Sequence, residues 1–484
     1  MAVQEIERAS VDERRKLGAQ ARREVSVSEH SGWRPAPGRR DPVALLMRQD
    51  AAREPDLVPV RHGRMMVSPF TFYRGAAKVM AEDLSDTPTA GLSAQLCGDA
   101  HLSNFGLFAS PERQLLFDLN DFDETLPGPF EYDVKRMAAS FMIAGRNNGF
   151  SEARARTATL AAVAAYRQAM AEFAQMPTMD VWYAHLDETQ LTNAVRGAVA
   201  ATTRGKKGKN AKEAKTARKA AKQAEKSREK AHTRDSLQAL SKLGEQVDGQ
   251  YRIVSQPPVV IPARELAPTY GLSAEEVNQA IQAQLAAYRS TLQDDRRRLL
   301  ERFRVVDVAR KVVGVGSVGT RAFIVLLQGR DAQDPLFLQI KEATGSVLEE
   351  HLGKSGYRQH GQRVVEGQRM MQAASDIYLG WTKGLDTRRH FYWRQLRDMK
   401  GSALVEAMAP ATLGFYGQIC GWTLARAHAR SGDPVAVATY LGTDDAFDQA
   451  ITDFSARYAD QNERDYQQFV EAVQSGRIQA VEGV

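Results

Sequence analysis

Asp99 and Asn104 stand five residues apart in Gly98-Asp99-Ala100-His101-Leu102-Ser103-Asn104, a polar run set between two apolar stretches. On a tight loop such a pair can divide the labour of phosphoryl transfer. The carboxylate orients an attacking hydroxyl and accepts its proton, and the amide oxygen holds a magnesium ion. Gly98 permits a sharp turn, and His101 is placed to brace the loop by hydrogen bonding. The same residues also suit an ordinary polar turn in which Asp and Asn cap their own backbone.

Three further stretches carry related chemistry. Asp118, Asp121, Asp123 and Glu124 follow one another closely after the apolar Leu115-Leu116-Phe117. A hard divalent cation takes oxygen ligands, and like charges this dense are costly without one. The competing reading is a surface acidic turn, against which Phe122 and the flanking apolar residues argue for partial burial. Gly314, Gly316 and Gly319, with Ser317 among them, form a glycine-rich turn. A dinucleotide-binding turn needs a helix after it, whereas Thr320–Leu327 is strand-like. The turn therefore reads as a hairpin, either plain or folded over a triphosphate through its amide N–H groups. Lys341 lies in the otherwise apolar Leu336-Phe337-Leu338-Gln339-Ile340-Lys341. Unless it sits on an edge and faces solvent, it needs a carboxylate or phosphate partner. Glu366 on the next helix is the expected partner, with Glu349 and Glu350 as rivals. A fixed Lys–Glu pair would grip the α- and β-phosphates of a nucleotide.

Elements have to hold these residues in place, and the apolar periodicity supplies them. Phe70–Leu84 fits a helix, residues 91–108 read strand, loop, strand, and residues 115–129 repeat that pattern. Two buried helices are expected between Asp133 and about Met176. Residues 303–329 and 335–343 read as three strands, residues 376–381 and 390–399 as two more, with a helix over Arg363–Ala374 between them. Long helices follow at 412–432 and 447–473. The resulting divisions are an N-terminal arm (1–67) with a helix at Val11–Glu24, the first part of a helical lobe (68–200), a basic insertion (201–250), a helical linker (251–299), a small sheet lobe (300–404) and closing helices (405–484).

Of the 484 residues, 43% are hydrophobic and 26% charged, which excludes a collagen, a mostly disordered chain and a polytopic membrane protein. No stretch reaches the ~18 uncharged apolar residues that span a bilayer, and the charged N-terminus does not read as a secretory signal. Two cysteines build neither a disulfide framework nor a zinc site, so a cytoplasmic location is expected. The net charge of +6 is concentrated: Arg204–Arg234 holds thirteen Lys/Arg against three Asp/Glu, which leaves −4 for the rest. That run has no apolar stripe and reads as a solvated insertion, or as a weak contact with nucleic acid or an anionic surface. It lacks the interleaved aromatic residues that stack on single-stranded bases.

Taken together, these residues resemble the protein-kinase-like superfamily, in particular its small-molecule (aminoglycoside-phosphotransferase-like) branch. Gly98–Asn104 looks like the catalytic loop, and Asn120–Arg136 like a metal-binding aspartate followed by an aspartate-bearing helix. The resemblance implies that Asp99 is the catalytic base, that Asn104 and Asp121 (with Asp123 beside it) hold magnesium, and that Asp133 braces the catalytic loop. It gives Gly314, Gly316, Ser317, Gly319, Lys341 and Glu366 to ATP. The glycine turn and lysine precede the catalytic loop in kinases but follow it here by about 200 residues, and the helix ending Leu424–Gly432 resembles the one that normally leads into that loop. A circularly permuted, two-lobed α+β kinase-like fold reconciles the order. The whole chain also resembles the bacterial family of domain of unknown function 2252. Cys97 replaces the usual histidine before Gly-Asp, and Asp121-Phe122-Asp123 lacks the kinase glycine and a long activation segment. The implied activity is therefore ATP- and magnesium-dependent phosphorylation of a hydroxyl or amine on a small molecule. A nucleotidyl transferase, a non-catalytic nucleotide-binding regulator and a nucleic-acid binder acting through residues 204–234 are the alternatives.

Overall fold

The structure is a computed structural model, and it describes residues 9–193, 222, 225–226, 229–247, 250–271, 273–312, 314–396 and 399–483. It is a mixed α+β fold of several small antiparallel sheets and many helices. Residues 204–221 of the basic run lie outside the described residues, and with them the expected anionic contact.

Helix α1 (Val11–Glu24) starts at a Ser10/Glu13 capping box and occupies the span expected for it. Helices α2 (Pro42–Asp50), α3 (Val58–Met65), α4 (Pro69–Gly75) and α5 (Ala77–Ser85) follow. The single helix expected over Phe70–Leu84 is thus two helices, broken at Ala76 (φ −106°, ψ 32°). The buried Arg61 guanidinium takes the Gly75 carbonyl at 2.8 Å, which occupies an acceptor a continuous helix would use.

Strands β1 (Ser93–Leu96), β2 (Phe105–Ala109), β3 (Leu115–Leu119) and β4 (Leu126–Pro129) explain why the two polar loops meet. β1 pairs with β4 and β2 with β3, both antiparallel, with Leu96 opposite Leu126 and Phe105 opposite Leu119. The loop from β1 to β2 and the turn from β3 to β4 must then run side by side, and the Asn120 N–H donates to the Asn104 carbonyl at 2.8 Å. Helix α6 (Glu131–Asn147) is buried along most of its length, and α7 (Glu152–Phe173) packs on the Pro410–Ser431 helix. At that crossing a Cβ on Gly421 would stand 2.1 Å from the Ala162 carbonyl, so only glycine permits the approach.

After α8 (Thr178–Tyr183), β5 (Leu186–Asp187) joins β3. The chain then gives β6 (Gly244–Val247), β7 (Gln250–Ile253), β8 (Val260–Pro262), β9 (Arg304–Lys311), β10 (Ala322–Gln328), β11 (Pro335–Ala343), β12 (Gly380–Lys383), β13 (His390–Gln395) and β14 (Gly401–Ser402). Six of them form one antiparallel sheet in the order β12-β13-β11-β10-β9-β8. Side chains alternate across it. Val325, Leu327, Leu338 and Trp393 pack beneath the Ala274–Arg289 and Asp294–Leu300 helices, and Ile324, Leu326 and Phe337 pack on the Ser236–Leu243 helix and β7. Two expected divisions shift accordingly. The stretch from Ser236 belongs to the sheet's cover because Ala239, Leu240 and Leu243 are buried there, and the linker contributes β8 as a sixth strand. Among the described residues no helix is long and apolar enough to cross a membrane.

Candidate active site

The residues of the Gly98–Asn104 loop are fixed by one face of α6. Asp133, Arg136 and Ser140 fall at i, i+3 and i+7, so they share that face. The Cys97 and Gly98 N–H groups donate to the Asp133 carboxylate at 2.6 and 2.9 Å, and the Leu102 N–H donates to Ser140 Oγ at 3.0 Å. Gly98 sits at φ +82°, where a Cβ would also collide with the Glu124 carbonyl, which explains the glycine. His428 on the Pro410–Ser431 helix places Nε2 3.3 Å from Asp133, while its Nδ1 meets Tyr166 Oη at 2.9 Å.

Asp99 projects from this braced loop into a cleft. Arg136 Nε and its terminal nitrogen hold Asp99 Oδ1 at 2.8 and 2.7 Å, leaving Oδ2 toward His101 Nε2 at 3.8 Å. Burial, with Arg74 and Arg136 nearby, keeps the His101 imidazole well below its usual range and therefore neutral. Its Nδ1 accepts the Ser103 N–H at 3.2 Å, so the ring proton belongs on Nε2, facing Asp99. Asn104, which lines the cleft, donates from Nδ2 to the Asp99 carbonyl at 2.7 Å, which commits the nitrogen end of the amide.

The four carboxylates of the acidic turn separate into different roles. Asp118 is fully buried, paired with Arg426 and accepting the Ala373 N–H at 2.8 Å, so it supports structure. Glu124 accepts the Val347 N–H at 2.7 Å, and burial pushes its carboxyl up to about 7. Asp121 and Asp123 face the cleft. Desolvation and the neighbouring Asp123 charge raise Asp121. Burial acts the same way on Asp123 but is outweighed by the Lys341 ammonium and by hydrogen bonds from Lys341 and Tyr392, which bring it to about 2.

Lys341 comes from the opposite side. The pairing of Lys341 with Tyr392 and of Gln339 with Arg394 puts these four on one face of the sheet, continuing the row that begins at Phe337. Where the apolar cover of that face ends, the row turns polar and meets the acidic turn. Lys341 Nζ lies 2.6 Å from Asp123 and 3.6 Å from Asp121, and Tyr392 Oη donates to Asp123 at 2.6 Å. The expected Lys341–Glu366 pair does not form. Glu366 turns to Arg369 on its own helix at 3.2 Å, Glu349 is nearest Lys354 at 3.6 Å, and Glu350 takes Lys78. The residue of the His360–Met371 helix that reaches the acidic turn is Arg363, which donates to the carbonyls of Asp123 and Thr344. The turn's two carboxylates supply Lys341 with the anion it required.

The glycine turn joins β9 to β10, and Ser317 Oγ lies 3.3 Å from Asp123. Its carbonyls are held by the N-terminal arm. Arg64 and Arg53 donate to Gly314 and Val318, and the Glu54 N–H donates to Gly319 at 2.8 Å. Asp99, His101, Asn104, Asp121, Asp123, Gly314, Gly316 and Ser317 thereby line one cleft of about 260 Å³. Lys341 lies behind Asp123, and Gly319 packs against the Arg53 side chain outside the lining.

Among the described residues no three His, Cys, Asp or Glu side chains group as a metal site. Two carboxylates and the amide oxygen of Asn104 are nevertheless the partial oxygen set that magnesium uses when substrate phosphates complete its shell. Arg136 and Ser140 escaped the sequence reading although their spacing from Asp133 signals them. Arg53, Arg64 and Arg74 carry no such local signal.

Neither a curated protein nor a solved structure matches the chain. A family model described as an uncharacterized protein conserved in bacteria matches residues 53–472, a span that takes in the Gly98–Asn104 loop, the acidic turn, the glycine turn and Lys341, and the chain belongs to that family, DUF2252.

Proposed function

We propose that the protein is a phosphotransferase of kinase-like type, using ATP and magnesium to phosphorylate a hydroxyl or amine. The observation that carries the reading is convergence: Asp99, Asn104, Asp121 and the glycine turn, separated by about 200 residues of chain, line a single cleft. Element order supports it. The glycine turn joins two adjacent strands and the lysine lies on the next, as in protein kinases. The permutation has support in the end of the Pro410–Ser431 helix, where Ser431 Oγ accepts the Gln95 N–H at 3.0 Å, beside the strand that leads into the catalytic loop.

In this reading Asp99 Oδ2 accepts the acceptor proton as the acceptor oxygen or nitrogen attacks the γ-phosphorus. The bond from that phosphorus to the β–γ bridging oxygen breaks, and ADP leaves with the electron pair. Arg136 and the neutral His101 hold Asp99 in position. Lys341 exchanges Asp123 for phosphate oxygens, and the glycine-turn amides cover the triphosphate. Magnesium, held by Asp121, Asp123 and Asn104, would neutralise charge on the transferring group.

Labelled ATP with Mg²⁺ tests this. Asp121→Asn should abolish metal-dependent nucleotide binding. Asp99→Ala should retain binding while turnover falls by ~10²-fold or more. Both variants turning over like the parent would place any activity at another site. Pyrophosphate as the released product would identify nucleotidyl transfer instead.

A further inference from the structure

The cations of the cleft can be accounted for one at a time. Arg48 and Lys78 both pair with Glu350. Arg53 donates to the Val318 carbonyl beside Asp50, and Arg136 holds Asp99. Arg74, at the end of α4, is the exception. Among the described residues it enters no ion pair or hydrogen bond, and its Nε is buried without an acceptor. Its ring contact is distant, 5.9 Å to the Phe70 centroid. Burial lowers its affinity for its proton, while Asp99 and Glu406 act in the opposite sense without touching it.

The Nε of Arg74 is buried without an acceptor while the side chain is partly exposed in the cleft, so an anion entering there would complete it. Its location says which one. Arg74 lines the cleft with Asp99, and its own carbonyl lies beneath Gly316, where an added Cβ would approach to 3.2 Å. It therefore lies beside the glycine turn and in the same cleft as the carboxylate that takes the acceptor proton. The nucleotide phosphates already have Lys341 and the turn amides. We propose that Arg74 recognises the acceptor, and that the acceptor carries a carboxylate or phosphate group beside the hydroxyl or amine presented to Asp99. This rests on the phosphotransferase reading. A polycationic acceptor would meet Arg74 in a cleft also lined by Arg48, Arg53 and Lys78.

The full-length protein, saturated with Mg²⁺ and a non-hydrolysable ATP analogue, is titrated with inorganic phosphate in one arm and malonate in the other. The stronger arm identifies the anion. Arg74→Gln should weaken that binding about tenfold or more, because a charge-assisted bidentate contact is lost, and Arg74→Lys should recover part of it. Analogue affinity should stay within about twofold, and the thermal midpoint should not fall, since no internal partner is lost. Equal loss of nucleotide affinity in Arg74→Gln would overturn the proposal and give Arg74 to the nucleotide. A lowered midpoint without a change in anion binding would overturn it in favour of a structural role. Arg74-dependent anion binding in a protein that takes no nucleotide would leave the anion site standing while the phosphotransferase reading falls.

Discussion

The Gly98–Asn104 loop and the glycine turn line the same cleft, yet they are held by different means. Side chains 35–38 residues away accept the loop's N–H groups inside the core. Side chains 250 and 265 residues away donate to the turn's carbonyls from the N-terminal arm. Breaking the first arrangement strands buried N–H donors, whereas the second is mixed, exposed at Arg64–Gly314 and buried at Arg53–Val318. One side of the site is thus held from within the core and the other from the N-terminal arm.

Asp133→Ala is the most severe way to break this contrast. It leaves the Cys97 and Gly98 N–H groups and His428 without their acceptor, at a cost of about 3–5 kcal/mol in urea unfolding. A loss below about 1 kcal/mol would show that the brace is dispensable. Arg53→Ala should cost less, about 1–2 kcal/mol, because Asp50 keeps Arg61 and His62. Amide exchange should quicken over residues 314–320 and stay unchanged over 97–104, whereas equal changes in both would erase the distinction.

A titrating core group sharpens the view of how the arm is held. Burial, then the Lys135 charge, takes His30 down to about 3, and its Nε2 meets Tyr440 Oη at 2.7 Å. The folded pKa lies below the unfolded value of about 6.5, so the unfolded chain binds the proton first. Stability is complete above pH 6.5 and falls as the pH drops toward 3, by about 1.4 kcal/mol per unit at most. His30→Gln should flatten that acid limb, and an unchanged slope between pH 6 and 4.5 would assign it to other groups. The smallest effect is expected from deleting Lys206–Lys230 with a Gly/Ser bridge. Unfolding and nucleotide affinity should be preserved, and any nucleic-acid binding should lose ~0.7–0.9 of salt slope per lost phosphate contact. Loss of cooperative unfolding would make that segment part of the fold.

The same contrast governs what could be read from the chain. The Gly98–Asn104 loop, the acidic turn and the glycine turn are each a contiguous run flanked by apolar residues, so local pattern reveals them and the strands on either side. Partner choice is a tertiary matter. Nothing near Lys341 says that Asp123 will outcompete Glu366, or that Asp118 will turn away to Arg426. The arm's role was hidden because Arg53 and Arg64 act on carbonyls far along the chain, whereas Arg136 was available from helical spacing alone. Short apolar elements are hard to read where polar sequence surrounds them, as at the buried Ala239, Leu240 and Leu243.

A crystal structure with Mg²⁺ and a non-hydrolysable ATP analogue tests the central claim most directly. The account predicts the triphosphate between residues 314–319 and Asp121, the metal on Asp121, Asp123 and Asn104, and Lys341 transferred from Asp123 to a phosphate. A nucleotide bound elsewhere, or a cleft that takes none at saturating concentration while Lys341 stays on Asp123, would contradict it.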